Sequence, residues 1–206
     1  MECNHEMTEL TARELLLHLY QVAVDSVDGR YLVSSWLRQH PAEKTSYTHV
    51  IAIGKAGAAM LDGAYDECTS IRSALLICPA DKISRNQQKH PDITCMASSH
   101  PVPDERSIQA GETLVKFLSN LQAEDRVLFL VSGGTSALVE LPVDGISLQD
   151  IQDINRYLLG SGKNIHQMNA WRQQFSQIKG GGLLRHVKCK ATQLLISDVK
   201  DDVAEY

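Results

Sequence analysis

Apolar residues along the chain are concentrated in short runs that are continuous rather than alternating. These runs are rich in β-branched residues, and each is about the length of a strand. Continuous apolar runs are typical of strands that are buried on both faces, as in parallel sheets. The pattern therefore predicts five strands: Thr48–Gly54, Ser73–Ala80, Ile93–Ser99, Arg126–Gly133 and Ala191–Val199.

Segments with helical spacing of apolar residues lie before and between these runs. Thr11 and Glu14 fit a capping box in the first of them, and Ser147 with Asp150 gives a start signal for a later one. The alternation predicts an α/β fold, namely a doubly wound, mainly parallel, Rossmann-like sheet with helices on both faces. The predicted helices are residues 8–28, Ala56–Cys68, Asp104–Gln122, Ser147–Leu159 and Asn164–Lys179.

The last predicted strand lies close to the end of the sequence. Residues 191–199 have the pattern of a central strand, and Lys200–Tyr206 follow. A doubly wound sheet normally continues from such a strand into a crossover helix. We therefore expect residues 1–206 to be the front part of a larger protein, truncated before a further domain.

Composition narrows the classes of protein to consider. The 206 residues are 43% hydrophobic and 22% charged, which excludes global disorder, and a net charge of −5 argues against a nucleic-acid footprint over the whole surface. No apolar run is long enough to span a bilayer, and no signal peptide is visible. The five cysteines are scattered and odd in number, which predicts reduced thiols in a cytoplasmic protein.

Charge is unevenly distributed along the sequence. Residues 101–155 carry nine acidic side chains against three basic ones, whereas residues 163–190 carry six basic side chains and no acidic one. A basic stretch of that length in an acidic chain fits an anion site. A solvated surface face fits it as well, and composition alone favours that second interpretation.

A glycine-containing turn follows the first predicted strand. Its sequence is Gly54-Lys55-Ala56-Gly57. Glycine lets the backbone approach a ligand closely, the start of the following helix offers free N–H groups, and Lys55 adds a positive charge. The turn matches neither common nucleotide-binding glycine motif. A phosphate loop and a plain turn with a surface lysine are equally compatible with it.

A second glycine turn follows the fourth predicted strand. Ser132, Gly133, Gly134, Thr135 and Ser136 place two adjacent glycines and three hydroxyl groups at the carboxyl end of that strand. Such a turn favours an anion-binding nest. The segment lacks the nucleophile elbow of hydrolases, so phosphate binding is favoured over hydrolysis by Ser136.

The predicted helix Asn164–Lys179 carries a polar stripe beside its apolar face. At 100° per residue, Asn169, Arg172, Ser176 and Lys179 fall within an arc of about 80°. Arginine with asparagine suits a ligand that carries a carboxylate or a hydroxyl group. The alternative is a helix boundary whose polar groups are satisfied by neighbouring loops.

Two further polar positions close predicted strands. His100 follows the third strand among prolines and could contact a ligand or serve a structural role. Asp198 follows the fifth strand, where an aspartate can hold magnesium in phosphoryl transfer. An ordinary acidic loop is the alternative for Asp198.

Five motifs in order resemble the N-terminal half of class II glycerate kinases, the glycerate 2-kinase family whose members are often named hydroxypyruvate reductase. The resemblance runs from about residue 10 to the end of the sequence. The motifs are Gly-Lys-Ala-Gly, His-Pro-Val-Pro-Asp, Ser-Gly-Gly-Thr-Ser-Ala-Leu, Asn-x-x-Arg-x-x-x-Ser-x-x-Lys-Gly-Gly and Ile-Ser-Asp-Val.

The resemblance implies a function and an architecture. Members of the family transfer a phosphoryl group from ATP to D-glycerate with Mg²⁺, usually yielding 2-phosphoglycerate. Their active site lies between a Rossmann-like domain and a smaller C-terminal MOFRL domain, which residues 1–206 do not contain. The sequence departs from the family pattern at Thr135, where a third glycine is usual, at Gly182, where a basic residue is usual, and at Lys200-Asp201-Asp202, where Pro-Gly-Asp is usual.

The motifs and the resemblance together assign roles to individual residues. Lys55 is the expected catalytic residue, and Asp198 is the expected magnesium ligand. The expected substrate-binding residues are Asn169, Arg172 and His100. The expected nucleotide- and phosphate-binding residues are Ser132, Gly133, Gly134, Thr135, Ser136, Lys179, Gly180 and Gly181.

Two other functions stay open from the sequence. One is reduction of hydroxypyruvate with a nicotinamide cofactor, against which the missing dinucleotide fingerprint argues. The other is a non-catalytic nucleotide-binding or assembly module. The expected partners are ATP and glycerate, with no nucleic acid and no membrane, and homo-oligomerisation is left open.

Overall fold

A five-stranded parallel sheet forms the centre of the molecule. The computed structural model describes residues 11–197. Within them the strand order is β3-β2-β1-β4-β5, and every neighbouring pair is parallel. The predicted doubly wound α/β fold is thereby confirmed. The strands are β1 His49–Ile53, β2 Ser73–Cys78, β3 Ile93–Ala97, β4 Arg126–Ser132 and β5 Lys190–Ile196.

Helices connect the strands and cover the sheet. Short 3₁₀ turns also occur at Ala80–Lys82 and Gly182–His186. The helices are α1 Ala12–Ser26, α2 Gly29–Gln39, α3 Pro41–Lys44, α4 Gly57–Glu67, α5 Arg85–Lys89, α6 Glu105–Ser119, α7 Thr135–Leu138, α8 Leu148–Gly160 and α9 Ile165–Gln174.

Alternate residues of the central strands enter two separate cores. Val50 and Ala52 of β1 pack with α2 and α4 on one face of the sheet. Ile51 and Ile53 of the same strand pack with α6 on the other face. Because successive strand side chains point to opposite faces, both faces of β1 must be apolar. This arrangement explains the continuous apolar runs and confirms that helices lie on both sides.

The order of the strands creates a crevice between β1 and β4. From β1 the chain moves to β2 and β3 on one side, and then crosses back to β4 on the other side. Helices that leave β1 and β4 therefore diverge, and ligands of such sheets bind at this switch point, outside the carboxyl ends of the strands. The turns at residues 54–57 and 132–135 lie at that point.

The fifth strand differs from the sequence prediction. Residues 191–199 were expected to form a strand buried on both faces, but β5 lies at an edge of the described sheet and ends at Ile196. Its residues alternate between exposed and half-buried. The physical reason is that β5 pairs with β4 alone among the described strands, so one side of it has no sheet neighbour there.

The N-terminal region contains more helices than the sequence analysis assigned. The capping box of Thr11 and Glu14 is present at the start of α1, as predicted. However, α1 has no buried residue, and its leucine, valine and tyrosine side chains are 43% to 69% exposed. Residues 29–44, for which the apolar pattern predicts no helix, form α2 and α3. Helix α2 packs on α4, and the Arg30 guanidinium donates to Asp66 over 2.6 and 2.8 Å.

A buried carboxylate joins elements at the amino ends of the strands, opposite the crevice. Asp125 accepts hydrogen bonds from the Gln122 backbone N–H (2.8 Å) and from the Arg72 guanidinium. Its side chain is 6% exposed. The Gln122 hydrogen bond, with help from His49 and Arg72, lowers the pKa of Asp125. The ionised form is therefore the one that the fold stabilises.

We expect Asp125→Asn to lower the free energy of unfolding by about 1–3 kcal/mol at pH 7, because the variant leaves buried donors without a charged acceptor. The pKa of Asp125 is lower in the folded state, so its contribution is present above about pH 4 and is lost as the pH falls further. Urea unfolding at pH 7 and at several acidic pH values measures this difference.

The exposed ion pair of Asp81 with Lys82 provides the matched control. Asp81→Asn should change the free energy of unfolding by less than about 0.5 kcal/mol. Equal effects of the two substitutions would contradict a stabilising role for the buried carboxylate.

Candidate functional site

The turn after β1 depends on a residue without a side chain. Gly54 has a φ of +127°, and a Cβ on it would lie 2.1 Å from Ser132 Oγ and 2.6 Å from the Ser132 carbonyl oxygen. Its own N–H donates to the Ile77 carbonyl over 3.1 Å. The position is restricted to glycine both by its backbone conformation and by the proximity of β4.

Hydrogen bonds join this turn to the turn after β4. The Lys55 N–H donates to the Gly133 carbonyl over 2.9 Å, and the Ala56 N–H donates to Ser132 Oγ over 3.0 Å. The Thr135 hydroxyl group donates to two backbone carbonyls of the same region, Ser132 O at 2.8 Å and Ile53 O at 3.2 Å. The hydroxyl groups of Ser132 and Thr135 therefore hold the two turns together, and Ser136 is the exposed hydroxyl of the three.

Three of the predicted site elements meet at Gly134. This residue has a φ of +92° and precedes α7. A Cβ at Gly134 would lie 2.9 Å from His100 Cδ2 and 3.3 Å from Lys55 Cγ. Lys55 is exposed. The structure therefore brings Lys55, His100 and the 132–136 turn to one place.

The imidazole of His100 lies in a partly desolvated and positively charged setting. Burial lowers its pKa, and the nearby Lys55 ammonium lowers it further. His100 is therefore neutral at pH 7, since its ordinary pKa is already about 6.5. A neutral imidazole can hydrogen-bond a ligand hydroxyl group without adding a further positive charge.

An open cleft of about 460 Å³ extends from Gly134 to helices α8 and α9. Its volume lies in the range of small-molecule sites. The apolar part of the wall is formed by Pro101, Val102, Pro103 and Leu159. The polar groups of the wall belong to His100, Gln152, Arg156 and Arg172. The Gln152 side-chain amide also donates to the Pro103 carbonyl over 2.8 Å, which fixes α8 against the loop after β3.

Arg172 is held by two asparagines. Its Nε donates to Asn155 Oδ1 over 2.8 Å and its Nη1 to Asn169 Oδ1 over 3.2 Å. Asn169 and Arg172 were predicted as site residues, but Asn155 was not. A signal was available, because Gln152, Asn155, Arg156 and Leu159 have i, i+3, i+4, i+7 spacing on α8 and all line the cleft.

The helix that carries Arg172 is shorter than predicted. α9 ends at Gln174, whereas the sequence pattern predicted a helix to Lys179. Beyond Gln174 the chain turns and pairs with residues 141–143 through an isolated antiparallel bridge at Ser176. The Gln177 N–H donates to Leu141 O over 2.7 Å and the Val143 N–H to Phe175 O over 3.1 Å. The predicted stripe is therefore wrong for its last two positions, because Ser176 and Lys179 are not on the helix.

Lys179 has a partner inside the protein. Its ammonium forms an ion pair with Glu140, whose side chain is 2% exposed. Burial lowers the pKa of Lys179, and the Glu140 carboxylate opposes that shift. Gly180 and Gly181 both have positive φ. These three residues were predicted to bind nucleotide, and the structure places none of them in the lining of the cleft.

The described part of the chain contains no cluster of potential metal ligands. Asp198, the predicted magnesium ligand, lies outside residues 11–197. Among residues 11–197 no group of three or more His, Cys, Asp or Glu side chains is arranged to hold a metal ion. In the same range, no helix combines the length and the apolar character that crossing a bilayer requires.

Comparison with known sequences identifies the family. A family model described as a domain of unknown function, DUF4147, matches residues 15–206. The chain belongs to this family. Two DUF4147 relatives named as kinases are a D-glycerate 2-kinase from Thermotoga maritima and a glycerate 2-kinase from Pyrococcus horikoshii, each 36% identical. They align over 74% and 76% of this chain, but over only 36% and 34% of their own lengths.

A relative from Agrobacterium vitis that carries the name of a hydroxypyruvate reductase is 33% identical over 97% of this chain and 44% of its own. The chain therefore spans less than half the length of these curated relatives. The resemblance to the N-terminal region of class II glycerate kinases is confirmed.

Solved structures of the family have the same fold. The crystal structure of a glycerate kinase from Thermotoga maritima superposes with a TM-score of 0.74 and 30% identity, over 88% of this chain and 45% of that one. A protein from Pyrococcus horikoshii gives a TM-score of 0.79 at 29% identity, over 97% of this chain and 47% of that one. This DUF4147 chain therefore corresponds to about half of each neighbour.

We expect Gly54→Ala to lower the free energy of unfolding by more than about 1 kcal/mol, because it combines an unfavourable φ with contact against the β4 backbone. Gly160→Ala is the matched control, since a Cβ on Gly160 meets nothing within 4 Å. The control should be neutral or stabilising by up to about 1 kcal/mol, as expected for alanine in a helix. Urea unfolding compares the two variants, and equal stabilities would contradict the close approach of the turns.

Proposed function

We propose that this chain forms the nucleotide- and glycerate-binding half of an enzyme that transfers a phosphoryl group from ATP to D-glycerate, yielding 2-phosphoglycerate. The observation that supports the proposal is the convergence of Lys55, His100 and the 132–136 turn at the switch point of the sheet. Relatives of this DUF4147 chain are named glycerate 2-kinases, which supports the substrate and the position phosphorylated.

The turn at residues 132–136 fits the phosphates of a nucleotide. The N–H groups of Lys55 and Ala56 are used in holding the first turn against the second. Gly134 lets the second turn approach Lys55 and His100 closely. Backbone N–H groups in a glycine turn of this kind act as fixed dipoles toward phosphate oxygens. ATP, when bound, supplies the phosphoryl group, and the exposed ammonium of Lys55 would neutralise negative charge on it. Phosphoryl transfer depends mainly on such positioning and charge neutralisation.

Two residues of the cleft lining suit the acceptor substrate. Arg172 provides donors for the carboxylate of D-glycerate, and neutral His100 can hydrogen-bond a hydroxyl group. Asn169 lies outside the lining and accepts a hydrogen bond from Arg172, so its proposed role is to orient that side chain. We assign no nucleotide contact to Lys179, because its ammonium pairs with Glu140. Residues 11–197 do not offer a set of magnesium ligands, so no step is assigned to a metal. Asp198 stays a proposed ligand.

We also propose that residues 1–206 bind ligands without efficient turnover. The chain spans less than half the length of its curated relatives, and its cleft is open. Exclusion of water and full enclosure of the phosphates contribute strongly to phosphoryl transfer. We propose that the additional length of such relatives supplies a second wall to the complete site.

Calorimetric titration of the 206-residue chain with ATP and Mg²⁺ tests the nucleotide site. We expect measurable binding, a roughly 10-fold or greater loss of affinity in Lys55→Ala because a charge-assisted contact is removed, and partial recovery in Lys55→Arg. Lys116→Ala is the control, since Lys116 is an exposed residue near the far end of α6. Its affinity should match that of the unmodified chain. Absence of ATP binding, or equal affinities of Lys55→Ala and the control, would count against the proposal.

The name carried by the Agrobacterium vitis relative keeps hydroxypyruvate reduction as a second candidate. The turn after β1 contains Gly54 and Gly57 but does not match the dinucleotide-binding fingerprint. Incubation with hydroxypyruvate and a reduced nicotinamide should therefore show no change in nicotinamide absorbance. Consumption of the nicotinamide would favour the reductase over the kinase.

A further inference from the structure

The guanidinium of Arg172 is positioned by neutral partners. Its two hydrogen bonds run to the side-chain oxygens of Asn155 and Asn169, so neither partner offsets its positive charge. Asn155 is itself anchored, because its Nδ2 donates to the Ile151 carbonyl over 3.0 Å within α8. Arg172 is thereby fixed between two helices, and its remaining N–H groups are the donors available to a ligand.

The charges beneath Arg172 do not balance. Glu140 and Lys179 form an ion pair, and their side chains are 2% and 16% exposed. Glu140, Asn155 and Arg172 also share the wall of a small cavity of about 10 Å³. Two cations and one carboxylate leave one positive charge in excess. Arg172 is half-buried beside Glu140. Burial lowers the pKa of Arg172, and the Glu140 carboxylate opposes that shift.

The cleft above Arg172 supplies no negative charge. Among residues 11–197, the lining includes Arg156, Arg172 and His100 but no aspartate or glutamate. Arg156 is paired with Asp153 on the exposed surface of α8. The excess charge of Arg172 is thus directed at a cavity large enough for a small molecule, and a partly desolvated cation is stabilised when an anion joins it.

We propose that Arg172 is a carboxylate-binding residue of the cleft and that Asn155 is a positioning residue that selects a substrate with a single negative charge. The proposal rests on the proposed function, in which the carboxylate is that of D-glycerate. One excess positive charge matches one carboxylate, and the planar guanidinium pairs with carboxylate oxygens through parallel hydrogen bonds. Because Asn155 is neutral, it holds the guanidinium without competing for its charge.

The variant Asn155→Asp tests the excess positive charge near Arg172 separately from the position of the Arg172 guanidinium. It keeps an oxygen acceptor for Arg172 Nε but cancels the excess positive charge. We expect the dissociation constant of the 206-residue chain for D-glycerate, measured by NMR titration, to rise about 10-fold or more. The affinity for ATP and Mg²⁺ should change less than about 2-fold if, as proposed, the nucleotide site lies at Lys55 and the 132–136 turn.

Asn120→Asp is the matched control, because it makes the same change of charge at an exposed position that caps the far end of α6. It should leave the affinity for D-glycerate unchanged. Thermal unfolding verifies that both variants fold. If Asn155→Asp fails to fold, the unmodified chain still provides a test: D-glycerate should bind at least about 10-fold more tightly than the uncharged analogue glycerol, and this preference should weaken as salt is added.

The results distinguish this inference from the proposed kinase. Binding of ATP together with equal affinities for D-glycerate in the unmodified chain and Asn155→Asp overturns the carboxylate site but leaves the nucleotide site standing. Absence of D-glycerate binding, or equal affinities for D-glycerate and glycerol, also overturns the carboxylate site. Loss of D-glycerate affinity in Asn155→Asp, with ATP binding and the Asn120→Asp control unchanged, supports it. Absence of ATP binding with D-glycerate binding intact counts against the nucleotide site instead.

Discussion

The contact between the backbone at Gly54 and Ser132 determines where the functional groups of this chain can lie. It joins the carboxyl ends of β1 and β4, the two strands from which the sheet diverges. Lys55 follows directly on one side of the contact, and Gly134 follows on the other. A side chain at Gly54 would separate the strand ends and move the lysine away from the second turn. The convergence of charge and backbone at this place therefore depends on one missing Cβ.

The two ends of the sheet have different electrostatic organisation. At the amino ends, the donors around the Asp125 carboxylate link β1, β4 and the segment before β2. The negative charge of Asp125 is offset by groups within the protein. At the carboxyl ends, Arg172 and Lys55 retain charge that no buried carboxylate among residues 11–197 offsets in full. The stabilising carboxylate and the proposed binding groups thus lie at opposite ends of the strands, as is usual for parallel α/β sheets.

The sequence predicted the central strands of the sheet well, but it predicted the edge strand β5 and the end of α9 poorly. Burial on both faces leaves a continuous apolar run, and so β1, β2 and β4 were recognisable. The predicted burial on both faces was wrong for residues 191–196, because apolar composition does not reveal how many neighbours a strand has in the sheet. Residues 198 and 199 of that prediction lie outside the described residues. The predicted extension of α9 to Lys179 was wrong because helical spacing persists in the sequence, whereas backbone pairing with residues 141–143 ends the helix.

Within the site, local motifs predicted residues that follow strands, such as Lys55, Gly134 and His100. Helical spacing marks the face of α8 that carries Asn155, but it could not predict the hydrogen bond of Asn155 to Arg172, which lies 17 positions further along the chain. Glu140 was missed for the same reason, since its ion pair spans 39 positions. Contacts of this kind arise from the packing of separate elements, and a single sequence carries no direct record of them.

Thr135 shows what a hydroxyl group does to the turn after β4. Its Oγ1 lies within hydrogen-bond distance of two backbone carbonyls, at Ile53 and Ser132. These contacts remove conformational freedom from the turn when the protein folds. For the proposed phosphate contact, the entropy cost of ordering the turn is then met during folding and not during association. A rigid, preorganised turn of this kind gains affinity for a ligand that matches its shape and loses tolerance for one that does not.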